Sequence, residues 1–243
     1  MGRLKYIIRA IEEDIAKCSV TLKQIRADIE PTIKALTDNP EEYELLMDVI
    51  PHFYRDRYNL DHETLQIYDY NGTVYENTGN DRMVQVPDEA REIAREEGTL
   101  LGIHNHPDAT CFQSPGDYGA MTSLRQKYSV TVAEDGIMIS KDNTAGDIIA
   151  NPQGMYYVAN QWLDDNIIEG YLKKSPEYKQ NLNDMREGTI SIDEANTRLN
   201  KQMNDYITEN IPEMTKSMED HFHNNVSYTH DMSLTYIPVT RTY

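Results

Sequence analysis

Cysteine and basic side chains are scarce in this sequence. Only two cysteines, Cys18 and Cys111, occur in 243 residues, which excludes a disulfide scaffold and a zinc site built from four cysteines. The 23 Lys and Arg residues are outnumbered by 41 Asp and Glu residues, so the net charge is −18. Because such a chain repels phosphate backbones, we expect no nucleic-acid partner.

Long apolar runs are also missing. No run approaches the roughly 20 residues that a membrane helix needs. The first residues, MGRLKYIIRAIEEDIAK, carry charges inside their apolar stretch, unlike a signal peptide. We therefore expect no membrane partner and a cytoplasmic location. The hydrophobic content of 39% is nevertheless enough to form a folded core.

The pattern of apolar residues divides the chain into three stretches. Residues 1–57 are predicted to be helical, residues 58–145 to form an α/β core, and residues 146–243 to be mostly helical with a terminal strand. In the first stretch, apolar residues recur at spacings of four and three from Leu4 to Ile29, which is a heptad stripe. This stripe allows either a homodimeric coiled coil or a long helix packed on its own chain, and we favour the second interpretation.

Proline and cap residues predict the ends of the N-terminal helices. Pro31 should end or kink the first helix, because proline cannot donate a hydrogen bond and its ring clashes with the preceding turn. Asp38 and Asn39 should cap a second helix with Pro40 in its first turn. That helix is expected to stop near Pro51.

The middle stretch has strand and helix signals in turn, which is typical of an α/β domain with a mixed sheet. Asn71-Gly72 indicates a hairpin between two short apolar runs. The further predicted elements are a strand at 83–86, a helix from Pro87 to Gly98, a strand at 100–103, a helix from Ser114, and a hairpin around 134–136.

The C-terminal stretch contains a capping box. Ser191 and Glu194 should begin a helix with an apolar stripe from Leu199 to Met214. We hypothesise that this stripe pairs antiparallel with the N-terminal one. The tail should form one strand, and Pro238 indicates an edge position for it.

Two histidines and an aspartate have the spacing of a metal site. His104 and His106 follow a predicted strand at positions i and i+2, so their side chains point to the same face. Asp117 comes eleven residues after His106, in the first turn of a predicted helix. Three such ligands leave a fourth tetrahedral position for water, which is typical of catalytic zinc. Ser114 is placed to donate a hydrogen bond to an oxyanion beside the metal.

This pattern resembles the signature of the JAMM (MPN-plus) zinc metalloproteases. His104-Asn-His106-Pro, then Ser114 and Asp117 at the characteristic spacing, is most similar to the prokaryotic and phage branches of that superfamily. The resemblance covers about residues 60–145. It implies a three-layer, cytidine-deaminase-like core with helical extensions, Zn²⁺ on His104, His106 and Asp117, and oxyanion support from Ser114.

The resemblance also implies a catalytic glutamate upstream, near the first strand of the sheet. Glu63 begins the first predicted strand and is preferred, whereas Glu76 lies on the returning strand. The implied function is a zinc metallopeptidase or isopeptidase that hydrolyses an amide bond with zinc-activated water and a glutamate base. Its substrate would be a protein or peptide, with ubiquitin-like tails among the candidates. The alternative is a zinc-binding scaffold or assembly protein, for example phage-related, that binds partners through its helical extensions.

Two further features are less specific. His221-Phe222-His223 is a second H-x-H, for which we expect a structural or surface role. Cys111, five residues after His106, would be a fourth zinc ligand, a redox brake or a small loop residue, and we favour the last.

Overall fold

The computed structural model describes residues 21–81, 83–107, 110–144, 152–226 and 230–239. Within them, no helix is both long enough and apolar enough to cross a membrane. The helices are α1 (Leu22–Leu36), α2 (Pro40–Arg57), α3 (Asp88–Glu96), α4 (Pro115–Ser123), α5 (Pro152–Leu163), α6 (Pro176–Arg186) and α7 (Ile192–Val226). The strands are β1 (Thr64–Tyr68), β2 (Val74–Thr78), β3 (Thr99–Asn105), β4 (Gln126–Ala133), β5 (Gly136–Asp142) and β6 (Met232–Ile237).

The six strands form one mixed sheet, which confirms the predicted α/β class. Their order is β2-β1-β3-β4-β5-β6. β3 and β4 are parallel and are joined by a crossover through α4, whereas every other neighbouring pair is antiparallel. The strand predicted in the tail is confirmed as β6, at the edge next to β5.

Helices cover both faces of the sheet, so the domain has three layers. Along β5, Ile137 and Ile139 pack into the apolar cluster of α1 and α2. Met138, between them, packs on the other face with α5 and α7. This alternation follows from the two-residue period of a strand. We call the first face the helical face and the second the cleft face, because the cleft described below opens on it.

The terminal helices therefore lie on opposite faces. In the described part of the chain, the hypothesised antiparallel pair of α1 with α7 does not form. Ile25 and Ile29 of the heptad stripe are fully buried on the helical face, as expected for a helix packed on its own chain. The earlier part of the stripe, residues 1–20 with Cys18, lies outside the described residues, and the homodimer stays a prediction.

The second N-terminal helix begins where predicted, whereas α1 begins at Leu22 with Thr21 as its cap, so the helix predicted from Leu4 to Ile29 is not continuous through residue 21. The Asn39 side chain accepts hydrogen bonds from the backbone N–H of Glu41 (2.9 Å) and of Glu42 (3.3 Å). The predicted end at Pro51 is wrong, because α2 continues to Arg57. Of the two outcomes expected at Pro31, an end or a kink, the helix does not end there, because α1 continues to Leu36. Burial on the sheet explains this result: Ile33 and Phe53, beyond the two prolines, are both core residues.

The predicted hairpins are confirmed as β1–β2 and β4–β5. The strand predicted at 83–86 is wrong, since this segment has no ladder partner and forms an irregular loop. The capping box is confirmed in part, because Ser191 Oγ accepts a hydrogen bond from the Glu194 N–H (3.1 Å) at the start of α7. Asn210 has non-helical backbone angles and introduces a kink in α7, just before Pro212.

Candidate metal centre

Strand β3 directs the two histidines to the cleft face. Leu101 and Ile103 belong to the cluster on the helical face, so alternation places His104 on the opposite side. His106 follows just beyond the strand, where its backbone N–H donates to the Val132 carbonyl (2.9 Å) and so continues the pairing with β4. The sequence-predicted orientation of this pair therefore agrees with the structure.

Helix α4 brings Asp117 to the same point. Ser114 caps the helix, and its backbone N–H donates to Asp117 Oδ2 (2.7 Å) while the Asp117 N–H donates to Ser114 Oγ (3.3 Å). This reciprocal pair is a capping box. It fixes the carboxylate at the start of the helix, beside the strand that carries the histidines.

The three predicted ligands converge. The Nε2 atoms of His104 and His106 are 3.1 Å apart. Asp117 Oδ1 lies 3.2 Å from His104 Nε2, and Asp117 Oδ2 lies 3.4 Å from His106 Nε2. Among the described residues, these three form the one group whose ligand atoms lie close enough together to hold a metal ion.

Hydrogen bonding orients His106 for coordination. Its Nδ1 lies 2.8 Å from the Thr110 carbonyl oxygen. Because a carbonyl only accepts, Nδ1 must carry the hydrogen, and the Nε2 lone pair of the neutral ring faces the cluster. A backbone carbonyl behind a ligating histidine is a common arrangement in metal sites.

The charges of the cluster suit a cation. Burial alone would raise the pKa of Asp117, but His104 and His106 outweigh it and hold the pKa of this carboxyl well below its usual range. Burial lowers the pKa of His106, whereas the hydrogen bond to Asp117 raises it, and the net pKa is raised. An ionised carboxylate with two imidazole nitrogens is a donor set that fits zinc and other transition metals.

A cleft of about 740 Å³ opens over the cluster and contains Glu63 and Ser114 in its lining. The Glu63 side chain lies on the cleft face, since Glu63 alternates with Leu65, which pairs with His104 in the β1–β3 register. Burial raises the pKa of Glu63 despite the attraction of the two histidines. Ser114 Oγ accepts from a backbone N–H, so its hydroxyl hydrogen can still donate to a bound oxygen.

Glu76 lies on the other face of the sheet. Its carboxylate accepts a hydrogen bond from Gln66 and lies 3.5 Å from the Arg57 guanidinium. Gln66 pairs with Ile103 of the helical face. The structure thus brings Glu63, and not Glu76, to the metal cluster.

Cys111 does not belong to the metal-binding group found among the described residues. It is fully buried in the apolar cluster of the cleft face. Burial, together with Asp135, raises the pKa of the thiol well above its usual value, which makes it a poor ligand and a poor nucleophile. These properties favour the interpretation as a small loop residue.

The second H-x-H does not join this cluster. His221 is half-buried and His223 is exposed on α7. Side chains at i and i+2 of a helix do not face each other. In the described residues, no potential metal group includes either of them.

Sequence reasoning missed Asn105, the residue between the two histidines. Its side chain is fully buried and accepts hydrogen bonds from Thr64 N (2.7 Å) and Thr64 Oγ1 (2.9 Å). Its amide donates to the His62 carbonyl (2.9 Å). Asn105 therefore ties the residues on both sides of Glu63 to the strand of the histidines. The sequence did contain a signal for this role: Asn105 is polar, but the alternation of the strand directs its side chain into the core.

Comparison with known proteins identifies no relative of this chain. No known protein family matches the chain, and neither the curated proteins nor the solved structures contain a match to it. The function must therefore be argued from the geometry of the cleft.

Proposed function

We propose that the protein is a zinc-dependent hydrolase that cleaves an amide bond in a peptide or an isopeptide. One observation carries this proposal. Three ligand atoms from His104, His106 and Asp117 converge, and a buried glutamate, Glu63, lines the same open cleft. A JAMM/MPN type of core remains part of the proposal, supported by the three-layer mixed sheet and by the order of these residues along it.

The residues of the cleft have separable roles in such a reaction. Zinc, when bound, supplies a Lewis acid that makes water more acidic and polarises a carbonyl. Glu63 accepts a proton from the attacking water and returns it to the leaving amine. The Ser114 hydroxyl donates to the oxygen on which negative charge develops. The Thr110 carbonyl would hold His106 in orientation, and the Ser114 N–H would hold Asp117.

The environment of Glu63 supports the assignment of the base. A general base works best when its pKa lies closer to the working pH than that of an ordinary carboxyl group. Burial raises the pKa of Glu63 in this direction. Its position is also fixed, because Asn105 holds the neighbouring residues His62 and Thr64.

The substrate that we propose is a protein or peptide segment, with a ubiquitin-like tail as one candidate. A cleft of about 740 Å³ accommodates a ligand the size of a short peptide. Because the chain has a net charge of −18, we do not expect nucleic acid to bind in this cleft. A reducing cytoplasmic setting fits the buried free thiol of Cys111.

The decisive experiment compares two glutamates. The full chain is loaded with zinc, and hydrolysis of blocked peptides and of linear and isopeptide-linked ubiquitin-like fusions is measured. We expect Glu63→Gln to bind zinc normally but to lose at least about a hundredfold in rate. The matched variant Glu76→Gln should retain full activity, because Glu76 lies on the opposite face of the sheet.

Two outcomes would contradict the proposal. Equal activity of both variants would exclude Glu63 as the base. If zinc-loaded protein hydrolyses none of these substrates, while removal of zinc or His106→Ala disrupts folding or assembly, the scaffold interpretation replaces the hydrolase.

A further inference from the structure

Gln126, at the start of β4, places its carboxamide directly on the sheet. It pairs with Thr99 in the β3–β4 register, and its amide lies over Gly102. A Cβ atom on residue 102 would lie only 2.3 Å from Gln126 Nε2. The missing side chain of Gly102 therefore makes room for this amide on the floor of the cleft.

The Gln126 carboxamide has unused hydrogen-bonding capacity. The residue is only 4% exposed and lines the cleft. Across the part of the chain that the structure describes, no hydrogen bond involves its side chain, whereas the buried Gln113 nearby bonds to Ser129 and Ser140. Neither the amide nitrogen nor the amide oxygen of Gln126 is among the fully buried polar atoms that lack a partner in the described residues, so both atoms reach the cleft and are accessible to a ligand. An unpaired amide that reaches an open cleft is thus a site for a polar ligand group.

Ser129 adds a second polar group to this floor. It pairs with Gly102 in the β3–β4 register and also lines the cleft. Its Oγ accepts a hydrogen bond from Gln113 Nε2 (3.2 Å). The hydroxyl hydrogen is then able to donate to a ligand oxygen.

The spacing of β3 relates this polar floor to the metal cluster. Gly102 and His104 share one side of the strand and are two residues apart, which corresponds to about 7 Å. An extended substrate advances at the same rate per residue. For a substrate that lies along β3 on the cleft face, a side chain two residues from the attacked carbonyl would therefore lie above Gln126. Because the amide lies at the level of the sheet backbone, a side chain that descends into the cleft reaches it more readily than the substrate main chain does.

We propose that Gln126 and Ser129 form a specificity subsite for a side-chain carboxamide, that of Asn or Gln, two residues from the scissile bond. The Gln126 amide both donates to and accepts from such a group. The adjacent Leu124 and the nearby Leu65, which share one apolar cluster, pack against its methylene groups. The subsite rests on the proposed function for its relation to a scissile bond, but its binding preference can be measured without catalysis.

The test uses the full chain, kept metal-free by a chelator, and blocked hexa-alanine peptides that carry a single Gln, Leu or Glu. Binding is followed by the NMR signals of the Gln126 side-chain amide, which are assigned by their loss in Gln126→Leu. We expect the Gln peptide to bind about tenfold more tightly than the Leu peptide, the contribution of one net hydrogen bond. The preference should disappear in Gln126→Leu.

Two further variants control for a loss of binding that is caused by misfolding of Gln126→Leu. Gly102→Ala should displace the amide and weaken the preference while leaving Gln126 in the chain. Gln66→Leu, which changes a glutamine of the helical face, should retain the full tenfold preference.

The outcomes separate this proposal from the proposed function. Equal binding of the Gln and Leu peptides, no binding of either, or a preference that survives in Gln126→Leu would overturn the subsite. A clear preference with no hydrolysis by zinc-loaded protein would retain the subsite and reject the hydrolase. Hydrolysis by zinc-loaded protein without any preference for the Gln peptide would reject the subsite and retain the hydrolase.

Discussion

Glu42 and Glu63 are two glutamates of nearly equal burial, 7% and 9% exposed, on opposite faces of one sheet. Glu42, on the helical face, accepts hydrogen bonds from Thr37 Oγ1 (2.8 Å) and Tyr128 OH (2.7 Å) and pairs with Lys127. Burial would raise the pKa of Glu42, but these partners outweigh it and lower the pKa.

Glu63 has a different environment. Its carboxylate interacts with the Val84 backbone and otherwise feels the two histidines and Asp117, and burial raises its pKa. Burial alone therefore does not determine the direction in which the pKa of a glutamate is shifted. The direction depends on whether the chain supplies enough partners for the charge, or leaves it facing a cleft.

The largest effect should follow removal of a ligand from the cleft face. His106→Ala deletes one of three ligand atoms, so zinc affinity, measured by competition with a chromophoric chelator, should fall more than about a hundredfold. His223→Ala, in the second H-x-H, should leave the affinity unchanged. An unchanged affinity in His106→Ala would mean that zinc binds elsewhere.

The two glutamates should differ sharply in their contribution to stability. Glu42→Ala leaves Lys127 and Tyr128 without their partner and should lower the free energy of unfolding by about 3 kcal/mol. Glu63→Ala in metal-free protein should cost less than about 1 kcal/mol or stabilise the fold, since functional groups are often held at the expense of stability. Urea denaturation measures the free energy of unfolding of both variants. Similar losses in Glu42→Ala and Glu63→Ala would contradict the proposed difference between the two glutamates.

Asn105 lies between the two histidines and bonds to the residues on both sides of Glu63, the proposed base, so its loss should affect both stability and catalysis. Asn105→Ala leaves the Thr64 N–H and the His62 carbonyl unpaired and should cost about 2 kcal/mol. We expect a lower kcat with an unchanged KM, because Glu63 is less well positioned. A variant that loses stability but retains kcat would assign Asn105 a purely structural role.

A smaller effect should appear in the pH dependence of Glu42. Because its pKa is lowered in the folded state, the folded protein binds fewer protons than the unfolded chain as the pH falls. Its stabilising contribution is therefore present above the ordinary pKa of about 4.5 and is lost as the pH falls through the lowered value. The free energies of unfolding of the wild type and of Glu42→Gln, measured by urea denaturation between pH 3 and 7, should differ at neutral pH and converge at low pH. Parallel curves would contradict the assignment.

Local sequence signals predicted most of the elements and the convergence of His104, His106 and Asp117. The Asn39-Pro40 helix start, the Asn71-Gly72 hairpin and the Ser114–Asp117 cap each depend on residues within a few positions of one another. His104 and His106 could be oriented from strand alternation alone. The convergence with Asp117 required only one loop and one helical turn.

The features that sequence did not predict depend on distant contacts. Helices α1 and α2 continue past Pro31 and Pro51 because burial against the sheet outweighs one missing hydrogen bond each. Lys127 meets Glu42 across 85 positions of sequence, and no local pattern indicates such a pair. That Glu63 lines the cleft, while Glu76 lies on the other face, likewise became visible only when the faces of β1 and β2 were known.

The capping box at α4 constrains how this centre can evolve. Asp117 shares one carboxylate between the helix start and the cluster. A mutation to His or Cys at this position, the simplest way to change the preferred ion, would also remove the acceptor for the Ser114 N–H. In the proposed metal centre, the choice of ion and the start of α4 therefore depend on the same carboxylate, so selection acting on one would restrict the other.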